Sequence, residues 1–350
     1  NISSEYRSYV LCPGLKKKII RKNKIILIDF NFSRKLKIYN DIIIFFKLLF
    51  IFFKKKPDII HSFTIKLILY SSIISLFYKS KFIMNFSGLG NVFNIKKLKF
   101  RLFKLFTILT LKVFDSNNLF YLFQTKHDLN VIYNFIKFDE NRSIIIPGSG
   151  VDINKYIKRE NQVFKDDKLT IMLASRMLLN KGVRDFFEVS KSFVNQQINF
   201  LVVGGIDEGN DESLSTKELE LMNSQTNVKW IGYKKNLFKY YNSVNIFCLP
   251  SYYGEGIPKV LLEAGSMSLP IIASNIPGCN EVVINNFNGY LFEPKNLEDL
   301  KEKIELIIDD KDSLKKFGEN SRLHVSKNYS LHQITKQTLD FYKIIINQIA

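Results

Sequence analysis

Residues 254–264 of this chain read GEGIPKVLLEA. Two glutamates, Glu255 and Glu263, enclose seven residues that begin with Gly-Ile-Pro and continue as a run that favours helix. Pro258 suits the first turn of a helix, where its missing N–H costs nothing. The spacing therefore predicts that Glu255 lies on the loop entering a helix and that Glu263 lies about one and a half turns inside it.

The start of this helix is expected to bind an anion. Backbone N–H groups around residues 257–260 would form the positive end of the helix dipole. A carboxylate before such a helix end, and a second one along it, suit a ligand with a diphosphate and hydroxyl-rich rings, such as a nucleotide-sugar. The spacing alone leaves an alternative open, in which Glu263 is a solvated helix residue and Glu255 an ordinary loop charge.

The sequence around these glutamates resembles a known family. The run SYYGEGIPKVLLEAGSMSLPIIASNIPGCNEVV at 251–283, followed by NNFNGYLFEP, is similar to the donor-binding region of retaining glycosyltransferases of family 4, whose signature is the E-x7-E pair. The similarity covers roughly the last 200 residues well and the first 150 more loosely. It implies the α/β fold called GT-B, in which two Rossmann-like domains with doubly wound parallel sheets face a cleft.

A second motif follows the predicted strand Leu169–Ala174. Arg176 and Lys181 lie five residues apart on a loop that ends in Gly182. Arginine offers a planar fork to a diphosphate and lysine a point charge, although the same pattern is also typical of a charged surface loop. It resembles the R-x4-K-G motif of the family, and the resemblance implies that Arg176 and Lys181 bind the diphosphate.

The resemblance assigns further roles in the donor site. Glu255 would contact the donor sugar and support charge near the anomeric carbon, so that Glu255, Arg176 and Lys181 form the predicted catalytic set. Glu263 would bind ribose hydroxyls. Other donor contacts are expected on the same loop and helix start and at two further strand ends: Gly256, Ile257, Pro258, Lys259, Val260, Gly204 and Tyr233. We expect no metal and no other cofactor, and no Asp-x-Asp motif stands at a predicted strand end.

Short β-rich runs alternate with helix-length segments along the chain, which predicts βαβ units and parallel sheets. IIIPGSGVD at 144–152 resembles the interdomain crossing of the family. We therefore expect an acceptor-binding domain at 1–150, a nucleotide-sugar-binding domain at 151–330, and a final helix at 331–350 that crosses back to the first domain. The strand and glycine-rich turn that open a GT-B chain are absent, so the first strand is expected to be missing from this sequence.

Two segments of the first domain are candidates for the acceptor side of the cleft. PDIIH at 57–61 places His61 at the carboxyl end of a predicted strand, where ligands bind in open α/β sheets, although a single histidine is often structural. NFSGLGNVF at 85–93 resembles a Gly-Leu-Gly loop of transferases that build O-antigen and capsule repeats. A simple glycine turn is the alternative there, and the histidine that many family members carry near Ser87 is absent. The acceptor candidates are His61, Ser87, Gly88 and Gly90.

The charge is distributed unequally. The net charge is +18; residues 1–150 hold 26 Lys and Arg against 8 Asp and Glu, whereas residues 151–350 hold 25 of each. This asymmetry indicates an anionic partner for the first half alone. Residues 41–53 are predicted to be either a buried helix or a membrane-facing one, and Lys96–Lys112 a basic amphipathic helix. Since no nucleic-acid recognition motif is present, an anionic membrane surface is favoured over nucleic acid.

The resemblance implies a retaining glycosyltransferase, and we expect it to take a hexose or N-acetylhexosamine from a UDP-sugar. The expected acceptor is a polyprenyl-diphosphate-linked saccharide or a polysaccharide of bacterial surface-glycan synthesis. Three widely spaced cysteines form no metal or redox motif, and with the basic first half they suggest the cytoplasm, at the inner face of the membrane. Two other classes stay open: a nucleotide-sugar epimerase of the same fold, and a remnant that binds a nucleotide-sugar without catalysis.

Overall fold

The computed structural model describes residues 6–14, 19–22, 25–31, 38–90, 93, 98–157, 168–196, 198–254 and 256–348, with backbone alone at 19–22, 38 and 99. Within these ranges three strands come first, and from β3 onwards the first half of the chain alternates strands and helices, as its sequence pattern predicts. The strands are β1 Ser8–Cys12, β2 Ile19–Lys22, β3 Ile25–Asp29, β4 Ile59–Phe63, β5 Lys81–Phe86, β6 Leu119–Phe123 and β7 Ser143–Ile145. The helices are α1 Ile38–Lys55, α2 Ile65–Ile74, α3 Leu98–Val113 and α4 Lys126–Ile136.

The second half continues this alternation and ends in three successive helices. Its strands are β8 Leu169–Ala174, β9 Ile198–Val203, β10 Val228–Trp230, β11 Ile246–Leu249, β12 Ile271–Ser274 and β13 Gly289–Phe292. Its helices are α5 Val183–Ser190, α6 Thr216–Gln225, α7 Phe238–Tyr241, α8 Lys259–Ser266, α9 Cys279–Val282, α10 Leu297–Asp309, α11 Lys311–Tyr329 and α12 Leu331–Asn347.

Strands β8 to β13 form one parallel sheet in the order β10-β9-β8-β11-β12-β13. This is the doubly wound order of a dinucleotide-binding domain, with its topological switch point between β8 and β11. Alternate side chains of β8 enter opposite cores, since Ile171 and Leu173 pack on one face of the sheet and Met172 and Ala174 on the other. Burial on both faces explains why the strand is apolar throughout.

The first half differs from the expected single parallel sheet. Strands β4 to β7 form a parallel sheet in sequence order, whereas β1, β3 and β2 form a separate sheet. Strand β2 pairs with β3 in the antiparallel sense, with Ile19 opposite Ile28. The expectation of purely parallel pairing is therefore wrong for β2. Only two positions separate β2 from β3 in the sequence, and a parallel pairing needs a crossover of a dozen residues or more.

The last helix, α12, covers one face of the β4–β7 sheet. Its apolar residues Ile334, Phe341 and Ile345 form a core with Phe120 and Leu122 of β6. Alternate residues of β6 point to the opposite face, where Tyr121 packs in the core that includes helices α1, α2 and α4. The end of the chain thus supplies one wall of the core of the first domain.

Helices α1 and α3 each bury one face and expose another that is also apolar. In α1 Ile44, Leu48 and Phe52 are buried, but Phe46 is 60% and Phe50 66% exposed, so of the two alternatives for residues 41–53 the fully buried helix is wrong. We call the exposed sets the apolar ridges: Tyr39, Ile42, Phe46, Phe50 and Phe53 on α1, and Leu98, Leu102, Leu105, Phe106, Leu109 and Val113 on α3. Among the described residues, no helix combines the length and the apolar character that crossing a bilayer requires.

Candidate functional site

The two predicted donor motifs, R-x4-K-G and E-x7-E, lie on neighbouring loops at the switch point of the second sheet. Strands β8 and β11 are neighbours, with Ile246 opposite Ile171, so the loops that follow them leave the sheet side by side. The loop after β8 carries Arg176 and Lys181, and the loop after β11 leads into α8. Ligands of doubly wound sheets bind outside the carboxyl ends of the strands at such a point.

The two loops are in direct contact. The amide N–H of Tyr252 donates to the carbonyl of Asn180 at 2.9 Å. Gly182 has a φ of +66°, and a Cβ atom there would lie 1.9 Å from the carbonyl oxygen of Pro250. The glycine of the R-x4-K-G motif is thus required both by its left-handed backbone and by the loop behind it.

Arg176 and Lys181 occupy the rim of this site. Lys181 ends the 3₁₀ turn Leu179–Lys181, and its N–H donates to the carbonyl of Leu178 at 3.1 Å. The guanidinium of Arg176, whose side chain is 53% exposed, forms an ion pair with Asp207 on the loop after β9. The sequence pattern did not single out Asp207, because its loop shows only a general polar, acidic composition.

Gly204, a predicted donor contact, closes the gap between the loops after β8 and β9. A Cβ at Gly204 would lie 1.7 Å from the carbonyl oxygen of Ser175 and 2.7 Å from Cε of Met177. The neighbouring Gly205 lies against the side chain of Tyr233, which is 73% exposed. Gly204 therefore sets the shape of the Arg176 loop, and Tyr233 presents an aromatic ring at the edge of the site.

Glu263 is the fifth residue of α8 and is only 7% exposed. The hydroxyl of Tyr156 donates to its Oε1 at 3.0 Å, and the hydroxyl of Tyr241 donates to its Oε2 at 3.1 Å. Burial, and then the Glu263 carboxylate, raise the pKa of both tyrosines, so both hydroxyls stay protonated as donors. The alternative of a solvated surface glutamate is wrong, because the carboxylate is buried in a fixed orientation.

Glu255 lies outside the described residues, between Gly254 and Gly256. Pro258 caps α8 with a φ of −67°, just before the position that its ring suits. Gly256, Ile257 and Pro258 are buried, whereas Lys259 is exposed and Val260 half-buried. The predicted donor contacts of this segment therefore differ in their access to solvent.

The first domain contacts the start of α8 directly. Oε1 of Gln124, the residue after β6, accepts the N–H of Ile257 at 2.9 Å. A Cβ at Gly256 would lie 2.0 Å from that oxygen and 3.0 Å from the carbonyl carbon of Ser87. The expectation that the Ile257 N–H is open to an anion is thus wrong in this conformation, because an amide oxygen already accepts it.

The acceptor candidates on the Gly-Leu-Gly loop lie on the same side of the cleft as Gln124. Ser87 is exposed and faces Gly256, as its carbonyl carbon shows. Gly88 and Gly90 have φ angles of +95° and +54°, and no atom lies within 4 Å of a Cβ built at Gly90. The segment 250–258 between β11 and α8, which carries the predicted donor contacts, is called the donor loop below. The Gly-Leu-Gly loop therefore brings backbone close to the donor loop and leaves open space beside Gly90.

Both ring nitrogens of His61 form hydrogen bonds to other side chains of the protein. Nε2 accepts from the Asn85 amide at 3.0 Å, so the neutral ring carries its proton on Nδ1 and donates to the Tyr342 hydroxyl at 2.7 Å. Phe63 stacks on the ring at 4.3 Å. Since Tyr342 belongs to α12, His61 connects the last helix to strand β4. The alternative of a structural histidine therefore accounts for its contacts.

This burial makes His61 a source of pH-dependent stability. Burial lowers its pKa from 6.5 to about 4. The unfolded ring takes up its proton near pH 6.5 and the folded ring only near pH 4, so the stabilisation present above pH 6.5 is lost as the pH falls towards 4. We expect a loss of about 2–3 kcal/mol in the free energy of unfolding from this residue.

Urea unfolding of the wild type and of His61→Gln between pH 7 and 4 measures this loss. Carboxylates titrate equally in both proteins, so the difference between the two curves isolates the histidine. The free energy of the wild type should fall more steeply, and parallel curves would exclude the assignment.

Four residues that contribute to the site were missed at the sequence level: Tyr156, Tyr241, Gln124 and Asp207. Tyr156 is 107 positions from its partner Glu263 in α8, and Gln124 is 133 positions from its partner Ile257. No local spacing reports such distances. The one available signal was the segment FYLFQTKHDLN at 120–130, whose similarity to the family marks the surroundings of Gln124.

Comparison with known proteins finds a matching family and several similar sequences. Residues 154–324 match the family described as Glycosyl transferases group 1. The chain is 30% identical over 227 residues to the N,N'-diacetylbacillosaminyl-diphospho-undecaprenol alpha-1,3-N-acetylgalactosaminyltransferase of Campylobacter jejuni; the alignment covers 60% of this chain and only 56% of the relative. It is 23% identical over 328 residues to the capsular polysaccharide biosynthesis glycosyltransferase CapM of Staphylococcus aureus, covering 90% of this chain and 84% of CapM.

Solved structures show the same architecture. Sucrose-phosphate synthase from Thermosynechococcus elongatus superposes with a TM-score of 0.81 at 17% identity, over 97% of this chain and 88% of that one. HepE of Anabaena in complex with UDP-glucose superposes with a TM-score of 0.74 at 17% identity, over 86% and 82%. The protein therefore has the GT-B fold, and its C-terminal domain belongs to the family of group 1 glycosyl transferases.

Proposed function

We propose that this protein transfers a sugar from a UDP-sugar to a lipid-linked saccharide of bacterial surface-glycan synthesis, with retention of the anomeric configuration. The observation that carries the proposal is the meeting of two cations and a buried carboxylate at one switch point. Arg176 and Lys181 lie on the loop after β8, and Glu263 lies on the helix that follows β11. This combination suits a ligand that has a diphosphate at one end and hydroxyl groups at the other.

The cations stabilise the leaving group. Cleavage of the bond between the anomeric carbon and the diphosphate leaves additional negative charge on the phosphate oxygens, and positioned cations stabilise such charge without reorganising. The Arg176 guanidinium has five N–H donors, and its ion pair with Asp207 uses one nitrogen. Donors therefore remain for a phosphate oxygen, while Asp207 holds the side chain at the rim of the site.

The glutamates bind the two sugar rings of the donor. An ionised carboxylate has about four acceptor positions, and the two tyrosine hydroxyls use two of those of Glu263. The remaining lone pairs accept ribose hydroxyls from an orientation that the tyrosines fix. Glu255, whose assignment rests on the sequence motif alone, contacts the transferred sugar and supports the charge that develops at its anomeric carbon.

The anomeric configuration of the product tests the mechanism. A one-dimensional proton NMR spectrum of the early product should show the α linkage when the donor is an α-linked UDP-sugar. Glu255→Ala should abolish turnover while the thermal unfolding midpoint stays within a few degrees of the wild type. A β-linked early product would exclude retention, and wild-type turnover in the variant would exclude the role of Glu255.

The names of similar proteins support the donor and acceptor classes. HepE of Anabaena has been solved with UDP-glucose, and the name of the Campylobacter relative specifies a diphospho-undecaprenol acceptor. A diphospho-polyprenol is anchored in a membrane, so the enzyme must reach the bilayer surface. The excess of positive charge in residues 1–150 would attract it to anionic lipid at the inner face of the membrane.

The apolar ridges supply the apolar part of the proposed membrane-binding surface, beside its positive charge. On α1, Lys47 and Lys54 are exposed beside Phe46 and Phe50, and on α3, Arg101 and Lys112 are exposed beside the ridge leucines. Large exposed apolar side chains bordered by cations are typical of helices that lie in a membrane interface. Lys96 and Lys97, part of the predicted basic helix, lie outside the described residues.

We expect the double change Phe46→Asp and Phe50→Asp to reduce binding to vesicles of phosphatidylglycerol and phosphatidylcholine at least tenfold. Both rings are more than half exposed, so the fold should survive. Sedimentation with vesicles measures the bound fraction, and Leu221→Asp, an equally exposed position on α6 of the other domain, is the matched control. Equal binding of the ridge variant and the control would contradict this membrane surface.

A further inference from the structure

Gln124 lies where three segments of the first domain close over the donor loop. It connects β6 to α4, and both ends are fixed, because the next residue, Thr125, caps α4 by accepting the N–H of Asp128 at 3.1 Å. The Gln124 side chain reaches across the cleft, and its Oε1 accepts the N–H of Ile257 at 2.9 Å. This is a direct hydrogen bond between the two domains at the residue before the cap of α8.

The fit around this bond is close on both sides. Gly256 is buried and has no room for a Cβ, which would lie 2.0 Å from Oε1 of Gln124. A Cβ at Gly148, after β7, would lie 2.8 Å from Cβ of Ile257. Residues following β5, β6 and β7 thus contact two adjacent residues of the donor loop, and Gln124 provides the hydrogen bond among these contacts.

We infer that Gln124 is a positioning residue: by binding the Ile257 N–H, it holds the donor loop in the orientation for transfer when the two domains are closed. The inference deepens the proposed function and rests on it, because it takes sugar transfer as the reaction of the site. Ile257 is two positions from Glu255 and one from Pro258, so fixing its N–H fixes the backbone between the sugar-contacting glutamate and the helix that carries Glu263. Gln124 acts through this loop and has no contact of its own with the diphosphate residues Arg176 and Lys181 among the contacts described.

The consequence is a coupling between acceptor domain and donor loop. Opening the cleft breaks the hydrogen bond of Gln124 and releases the donor loop. Closing the cleft restores the orientation of the loop only when the side chain at position 124 has an oxygen that accepts the Ile257 N–H. The step that needs the aligned loop is transfer, and nucleotide binding through Arg176, Lys181 and Glu263 does not need it. We therefore expect a change in kcat with little change in UDP affinity.

Two variants separate this role from simple packing. Gln124→Met keeps the length of the side chain but removes the acceptor, and Gln124→Glu keeps an acceptor oxygen. We expect Gln124→Met to lower kcat about tenfold, with the Kd of UDP, measured by calorimetry, within twofold of the wild type. Gln124→Glu should recover most of the lost kcat. Gln337→Met, in the same cleft but without a described bond to the donor loop, is the control.

Hydrogen exchange gives a readout that needs no turnover. In the ligand-free protein, the peptide containing Ile257 should exchange at least tenfold faster in Gln124→Met than in the wild type, Gln124→Glu or Gln337→Met. Unchanged exchange would overturn the contact, and faster exchange with unchanged kcat would overturn its role in positioning. If the wild type transfers no sugar while the exchange pattern appears as expected, the proposed function fails and the coupling of the domains stands.

Discussion

Replacement of Lys181 by alanine is expected to lower kcat for donor cleavage by about 10² to 10³. Lys181 is the last residue of the 3₁₀ turn, and the carbonyl of Asn180 in this turn accepts the N–H of Tyr252 from the loop after β11. The leaving diphosphate is proposed to sit beside this turn. The attraction of the Lys181 ammonium to phosphate increases as negative charge develops on the leaving group, so its loss affects the transition state more than the bound donor. Release of UDP from the donor, measured by a coupled assay at saturating donor, gives kcat directly.

The fold should survive this change. The turn is held by backbone bonds, including that from the Lys181 N–H to Leu178, and by the packing of Gly182 on Pro250. Lys191→Ala is the matched control, because Lys191 is exposed and the described partner of its ammonium is the carboxylate of Glu188. A fall in kcat of less than tenfold for Lys181→Ala, or an equal fall in the control, would remove Lys181 from the diphosphate site.

Gly204→Ala is expected to destabilise the second domain by about 3 kcal/mol and to abolish measurable UDP binding. The added Cβ would lie 1.7 Å from the Ser175 carbonyl oxygen, a backbone atom. That oxygen cannot move freely, because the Ser175 N–H donates to Val203 and the Met177 N–H donates to Gly205, at 3.1 and 3.0 Å. Relief of the clash must displace the loop that carries Arg176.

Gly205→Ala provides the comparison at the adjacent position. Its Cβ would lie 3.1 Å from Cβ of Tyr233, so a displacement of only a few tenths of an ångström relieves the contact, and the Tyr233 side chain is exposed rather than packed in a core. Thermal unfolding and UDP titration of both variants should show a large loss for Gly204→Ala and less than 1 kcal/mol for Gly205→Ala. Similar behaviour of the two variants would mean that the loops after β8 and β9 do not approach as closely as described.

The local parts of the site were predictable from sequence because short-range pattern determines them. The helix after Pro258, the strand at Leu169–Ala174 and the last helix at 331–347 follow from apolar periodicity and capping residues, and the structure places α8, β8 and α12 there. The resemblance identified the two motifs, and the structure shows that the loops carrying them follow the neighbouring strands β8 and β11 of a doubly wound sheet.

The parts that were not predictable depend on contacts between distant segments. Nothing near Glu263 indicates that Tyr156 and Tyr241 bury its carboxylate, and nothing near Ile257 indicates that Gln124 accepts its N–H. For α1 the sequence left a buried helix and a membrane-facing helix open, because a helix that is apolar on all sides also fits a core. Only the packing of the sheets decides which of its faces meets the protein.

The central claim is that this protein cleaves a UDP-sugar and transfers the sugar to a lipid-linked acceptor. The most direct measurement is nucleotide release by the purified protein from UDP-, GDP- and ADP-sugars, with and without a bacterial membrane lipid extract and with EDTA in parallel. We expect release of UDP that requires one particular UDP-sugar and the lipid extract and that persists in EDTA. Binding of UDP without release from any donor, or conversion of the donor to its epimer without lipid, would contradict the claim.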